Sequence, residues 1–284
     1  MLTLRWTPLC SLQPLPRLIM SFTMPDLSNP LDIAMVTFLV VFIPIAGLAN
    51  RVDLPFLSRG GGLLSYSKFA KGVTFGISLP SRLGMLTLYF PSVIIAYVML
   101  QGTQEAPIGS RQPLVAQMMI AHFGKRSLEC LLLHKYSGSM PLASSLFITF
   151  FYSTETFAAV HYAGLVEVSS YVSWWLPTGL ALFGVGLAGN FYHHWLLATL
   201  RKPGEKGYKV PRGGGFEYVA APHYFFELVG WLGVAAVSQH IICIGFFMAM
   251  ATYLMDRAMA QSEWNNRKLD NYPKARKHLV PFVF

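Results

Sequence analysis

The chain has 284 residues, 54% of them hydrophobic and only 12% charged, with a mean hydropathy of +0.45. Soluble domains carry about 25% charged residues, so this composition excludes an ordinary soluble enzyme and specifies an integral membrane protein. The net charge of +9 raises the possibility of a nucleic-acid surface. The basic residues, however, sit in short loops between apolar runs, as they do in cytosol-facing loops of membrane proteins, so no nucleic-acid partner is expected.

Residues 1–30 are Pro-rich and contain no continuous apolar stretch of the kind a cleaved signal needs. They read as a poorly ordered leader preceding one membrane domain, residues 31–284. A membrane helix needs about 20 mainly apolar residues, which gives about seven candidates. These are Leu31–Ala49, Leu83–Leu100, Pro113–Leu133, Pro141–Tyr162, Tyr171–Gly189 (running on to about Leu200), Tyr218–Ser238 and Gln239–Met255. Most Lys and Arg fall in Arg51–Arg82, Lys125–Lys135, Arg201–Arg212 and the tail Arg267–Lys277, whereas Gln101–Gln112 and Val166–Ser170 hold Arg111 alone. The basic loops and the C-terminus are therefore assigned to the cytosol. Cys10, Cys130 and Cys243 are too far apart to form a disulfide framework or a zinc pattern.

Three stretches carry chemistry. In "RKPGEKGYKVPRGGGFEY", Arg201, Lys209 and Arg212 alternate with glycines and with Tyr208, Phe216 and Tyr218. Arg supplies forked donors for phosphate, Gly lets backbone N–H groups approach it, and aromatic rings offer stacking faces. No G-x-G-x-x-G follows a strand, so a Rossmann domain is not indicated. Glu227 lies within an apolar helix, where a carboxylate needs partners; Asn190 and Arg257 are the candidates, as cofactor ligands or as a structural ion pair. His122, Arg126 and Glu129 share one helix face at i, i+4 and i+7 and either line a cavity or neutralise one another. His193 and His194 are adjacent, about 100° apart on a helix; with Asn190 where an H-x-x-H-H box would need histidine, no metal site is expected.

The segment from "GNFYHHWLLATLRKPGEKGYKVPRGGGFEYVAAPHYFFELVGWLG" to the terminal "DNYPKARKHLVPFVF" resembles the steroid 5α-reductase family, which also includes trans-2-enoyl-CoA and polyprenol reductases. "AHFGKRSLECLLLHKYSGSMP" is most similar to the enoyl-CoA reductase branch, and "LPSRLGMLTLYFPS" is a further match. The resemblance implies an all-α enzyme of the endoplasmic reticulum with about seven transmembrane helices and a cytosolic C-terminus. It implies an NADPH cavity among the C-terminal helices and reduction of a C=C bond conjugated to a carbonyl in a lipid or steroid. Residues 31–140 would form the substrate side and 141–284 the cofactor side. By this resemblance Asn190, Arg201, Tyr208, Lys209, Glu227, Arg257, Tyr272 and Arg276 bind NADPH and Phe123 falls in the substrate cavity; His122, Glu129 and His134 are cavity candidates beside it, with a mutually neutralising structural group as the alternative.

The substrate side departs from the family pattern. The steroid-reducing branch carries a carboxylate where this chain has Tyr89, and a tyrosine where it has Phe123. Tyr89 can still donate a hydrogen bond to a substrate carbonyl and is the catalytic candidate; Phe123 cannot. A family Asn is His223 here, and a family His and Tyr are Gln261 and Asn265. The simplest activity is reduction of a 3-oxo-Δ4 steroid, with enoyl-CoA or polyprenol reduction as alternatives. An S-adenosylmethionine-dependent membrane methyltransferase and a non-catalytic family member are the readings from other classes.

Overall fold

The computed structural model describes residues 22–48, 77–136, 138–201, 205 and 207–284. The leader up to residue 21, most of the basic stretch 51–82 and loop residues Lys202, Gly204 and Lys206 lie outside the described residues.

The fold is all-α. Among the described residues seven long helices follow one another: α1 (Pro30–Leu48), α2 (Ser81–Gln101), α3 (Gln112–Leu128), α4 (Leu142–Leu165), α5 (Trp175–Thr199), α6 (Pro222–Ser238) and α7 (Ile241–Lys268). Each coincides with an apolar run of the sequence, and the differences lie at the ends. α6 begins at Pro222 because Gly214–Glu217 forms a separate 3-10 turn and proline suits the first helical turn. α7 continues well past Met255, its polar last turns extending beyond the apolar part. α2 and α7 are long and apolar enough to cross a membrane, with mean hydropathies of 1.9 and 1.4. α2 turns Leu83, Phe90, Ile94, Tyr97 and Val98 outward, an apolar stripe at helical spacing on the outside of the molecule.

Residues 22–29, expected within the leader, are tied down. Thr23 N–H donates to Gln239 O at 2.9 Å, and Ile241 N–H donates to Thr23 O at 2.9 Å. This end of the bundle is closed by Arg111, whose Nη1 donates to Gln239 Oε1 (2.7 Å) and Val237 O (3.2 Å) while its guanidinium lies 4.0 Å over the Tyr171 ring.

At the other end two short strands, β1 (Ser78–Pro80) and β2 (Ser139–Pro141), pair antiparallel with Leu79 opposite Met140. They join the approach to α2 to the approach to α4. The C-terminal tail runs beside the α5–α6 connection: Ala220 N–H donates to Lys277 O at 2.8 Å and Lys277 N–H to Tyr218 O at 2.9 Å. Leu279, fully buried, plugs a small apolar cluster with Ala221 and Ala258.

The packing that matters most for the site is α5 against α6. Gly179 and Gly186 of α5 face Gly233 and Gly230 of α6, backbone on backbone. A methyl group on Gly233 would come 2.6 Å from Gly179 O, and one on Gly186 would press on Gly230 and come 2.8 Å from Phe226 O. Small residues at helical spacing allow this approach. The same face of α5, continued one turn, presents Asn190, and the same face of α6 presents Glu227. The glycine seam therefore fixes the distance between the two polar residues.

Candidate functional site

A chamber of about 590 Å³ opens at the strand end of the bundle, between α2, α3, α4, α5, α6 and α7. Pockets for small molecules and cofactors span roughly 300–1,000 Å³. Its wall includes Tyr89, Arg126, His134, Asn190, Arg201, Tyr208, Glu227 and Arg257, bringing together residues spread over some 170 positions of sequence. Among the described residues, Arg126, Lys135, Arg201 and Arg257 line it against one carboxylate, Glu227, which makes the chamber receptive to an anion.

Two linked networks build the wall. In the first, Asn190 Nδ2 donates to Glu227 Oε2 at 2.8 Å and to His223 O at 2.9 Å. Asn190 Oδ1 accepts from Lys125 Nζ, and His122 Nε2 lies 3.2 Å from Glu227 Oε1. A carboxylate inside a helical bundle thus has both oxygens engaged, as burial demands. Lys125 carries the network on to Glu129 Oε1 at 2.9 Å.

In the second, Glu129 Oε2 accepts from Arg126 Nη1, and His194 Nδ1 lies 3.0 Å from that oxygen and 2.9 Å from Arg126 Nη1. Arg126 uses its other arm on Tyr89, Nη2 to the hydroxyl at 2.8 Å. The end of α3 opens into one π-helical turn, Glu129–Leu133, and His134 N–H donates back to Glu129 O at 2.8 Å. Such widened turns recur at functional sites. This one folds His134 back onto His194, ring centroids 4.9 Å apart. Burial first, and the Arg126 charge second, lower His134 to about 4. Ligand atoms of Glu129, His134 and His194 lie within 4.8 Å of one another, a grouping that could hold a metal ion. Arg126 and Lys125 already match the carboxylate there, so a cation would meet two like charges at close range.

The adjacent histidines point to different tasks, as their 100° separation requires. His194 joins the Glu129 network. His193 Nδ1 donates to Gly189 O at 2.6 Å and its Nε2 accepts Gly215 N–H at 2.9 Å, which anchors the Gly213–Gly215 run to α5.

The remaining expected site residues occupy four other settings. Phe123 is fully buried, packed among Tyr89, Tyr152 and Trp231, and does not line the chamber. An apolar ring is cheaper in the core than on a polar wall. His122 and Glu129 stand behind the wall, holding Glu227 and Arg126. Lys209 is exposed beside Glu205, and its neighbour Tyr208 packs edge-on against Trp264, ring centroids 4.5 Å apart. Tyr272 and Arg276 belong to the tail. Arg276 Nη1 donates to Pro211 O at 2.9 Å and its guanidinium lies 5.3 Å over the Tyr272 ring. Glu217, whose carboxyl is held below its usual range by the Gly213 N–H, accepts that bond at 2.7 Å. The tail thus secures the loop that borders the chamber.

Sequence reasoning missed Lys125 as the bridge between the networks, and His194 as the support of Glu129. It also missed His223, Tyr152 and Tyr253 as chamber wall. The helical period was the available signal: His122, Lys125, Arg126 and Glu129 span two turns of one helix, and His194 lies one turn after Asn190.

Residues 138–284 match the family model described as 3-oxo-5-alpha-steroid 4-dehydrogenase. The chain is 34% identical over 227 residues to 3-oxo-5-alpha-steroid 4-dehydrogenase 1 of Bos taurus, covering 77% of this chain and 87% of that protein. The chain belongs to this family. To the Homo sapiens 3-oxo-5-alpha-steroid 4-dehydrogenase 1 it is 32% identical over 215 residues, covering 73% of this chain and 82% of the relative. To the Steroid 5-alpha-reductase DET2 of Gossypium hirsutum it is 39% identical over 125 residues, 44% of this chain and 48% of that protein. As a steroid 5α-reductase family member it is an oxidoreductase acting on CH–CH groups.

Proposed function

We propose that this chain is an NADPH-dependent ene-reductase of the endoplasmic reticulum membrane that reduces a C=C bond conjugated to a carbonyl, most simply in a 3-oxo-Δ4 steroid. In this reading all seven helices span the bilayer and the chamber opens toward the cytosol beside the C-terminal tail. The observation that carries the proposal is one polar, net-cationic chamber into which Asn190, Arg201, Glu227 and Arg257 converge.

The donor set suits a dinucleotide phosphate. Arg257, 3% exposed, and Arg201 at the rim suit its phosphates, because guanidinium forks match phosphate oxygens. The Asn190–Glu227 pair suits an amide or hydroxyl. The His223 ring lines the chamber with Nδ1 buried and without a hydrogen-bond partner among the described residues, a polar atom that a bound group would satisfy. Tyr208 offers a stacking face, and Tyr272, Arg276 and Lys209 act through the loop that borders the mouth.

NADPH, when bound, supplies a hydride to the β-carbon, and a proton from water completes the α-carbon, so that an enone becomes a saturated ketone and NADP⁺. The chain's own work is electrostatic. Negative charge gathers on the carbonyl oxygen as the double bond is lost, and a donor already in place stabilises it more in the transition state than in the ground state. Tyr89, held by Arg126 at the chamber wall, is the donor in this reading.

The test is incubation of the purified full chain with NADPH and a panel of 3-oxo-Δ4 steroids, enoyl-CoAs and polyprenols, read by mass spectrometry. A two-hydrogen gain in the steroids supports the proposal. Stabilisation by S-adenosylmethionine but not by NADPH would end it.

A further inference from the structure

We propose that Arg126 is a catalytic residue of this site: with Tyr89 it forms a guanidinium–phenol pair that receives the substrate's carbonyl oxygen and supplies a fixed positive charge to offset the developing oxyanion. The inference rests on the ene-reductase reading above and names the charged group on which that chemistry depends.

Arg126 is 8% exposed, yet it lines the chamber together with Tyr89. Its two arms do different things. Nη1 meets the carboxylate of Glu129, a counterion shared with Lys125, and lies 2.9 Å from His194 Nδ1. Nη2 is directed to a neutral phenol, 2.8 Å from the Tyr89 hydroxyl, with the guanidinium carbon 4.7 Å from the Tyr89 ring centroid. Buried ion pairs contribute little to stability relative to well-packed apolar groups, so charge balance alone gives no reason to spend this arm at the chamber wall.

The consequence for Tyr89 follows from hydrogen-bond polarity. A phenol oxygen that accepts from a cation becomes a stronger donor through its own O–H, because each bond in a chain polarises the next. The pair also cannot drift. Tyr89 is stacked on Tyr152 at 5.7 Å. Arg126 is clamped by Glu129, which is held in turn by His194 at 3.0 Å and Lys125 at 2.9 Å. Glu129 and His194 are therefore positioning residues. Phe123, the neighbour on the same side, is buried and apolar and offers no donor. A protonated carboxyl stabilises an oxyanion only while it keeps its proton, whereas a guanidinium stays charged throughout the working pH range.

The experiment reads the carbonyl directly. A 3-oxo-Δ4 steroid labelled with ¹³C at the carbonyl is bound to the detergent-solubilised full chain with NADP⁺, which cannot donate hydride, and its C=O stretch is recorded by difference infrared spectroscopy. The wild-type chain should shift the stretch to lower frequency than in water. Arg126→Gln should lose most of that shift while retaining NADP⁺ affinity, and with NADPH its kcat should fall about 10²-fold, the size expected for loss of one oxyanion donor. Arg126→Lys, a charge without the fork, should fall between the two. An unchanged carbonyl frequency in Arg126→Gln would overturn the inference and leave the reductase reading standing. If Arg126→Gln no longer binds NADP⁺, Tyr89→Phe decides: a retained shift there overturns the pair. A wild-type chain that binds neither NADPH nor NADP⁺ removes the reductase reading, and the inference goes with it.

Discussion

Gly186→Ala tests whether the α5–α6 seam sets the site. The added methyl would meet the backbone of Gly230 and sit 2.8 Å from Phe226 O, where ordinary contacts begin at 3.4 Å. Backbone cannot rotate away as a side chain can, so the helices must separate by several tenths of an ångström or more. Overpacking of this kind costs about 1–3 kcal/mol. One turn further along, the Asn190–Glu227 bond of 2.8 Å must lengthen, and a hydrogen bond to a charged group contributes about 1.5–3 kcal/mol. The sum is a large share of a typical folding stability of about 5–15 kcal/mol. Gly184→Ala, on the same helix, is the control: its methyl would meet nothing within 4 Å, and exchanging glycine for alanine in a helix favours folding by up to about 1 kcal/mol. The assay is thermal unfolding in detergent together with NADPH titration. Gly186→Ala should melt lower and bind NADPH at least tenfold more weakly, while Gly184→Ala should match or exceed the parent. Identical behaviour of the two variants would refute the claim that the seam positions Asn190 and Glu227.

Three further outcomes follow from the same structure. Arg257→Ala should raise the KM for NADPH about 10- to 100-fold, the loss of one charged phosphate contact, measured by initial rates; an unchanged KM removes Arg257 from the cofactor site. Leu279→Ala should cost about 2–5 kcal/mol, as for other fully buried leucines, and should lower the melting midpoint. His134, lowered to about 4 from an ordinary 6.5, is neutral in the folded protein, so the stability it contributes is complete above pH 6.5 and is lost as pH falls toward 4. Across that interval the loss reaches at most about 3 kcal/mol, and His134→Asn should flatten the stability profile between those pH values.

Much of the helical framework was legible in the sequence because apolar runs of spanning length carry their own signal. The ends were not, since Pro222 and the polar last turns of α7 are fixed by local turn chemistry and by what the helix meets outside the apolar layer. The meeting of Asn190 with Glu227 was expected from the need to partner a carboxylate among apolar residues. The part played by Lys125 was not, because which neighbour a flexible amine reaches depends on how α3 is rotated against α5. The glycine spacing 179, 186 and 230, 233 was in plain view and marks the closest helix pair; reading it would have given the seam. Phe123 illustrates a limit of residue-by-residue transfer. Expected on the substrate cavity, this apolar ring packs instead in the core among Tyr89, Tyr152 and Trp231.

The most direct test of the central claim, that the chamber uses NADPH to reduce an enone, follows one atom. The purified chain is incubated with a 3-oxo-Δ4 steroid and NADPH carrying deuterium at both C4 positions of the nicotinamide, and the product is mapped by mass spectrometry and NMR. The account predicts one deuterium at the β-carbon and a proton from solvent at the α-carbon, with both lost in an Asn190→Ala, Arg257→Ala double variant. A product free of deuterium, or no product from a chain that still binds the steroid, would contradict it.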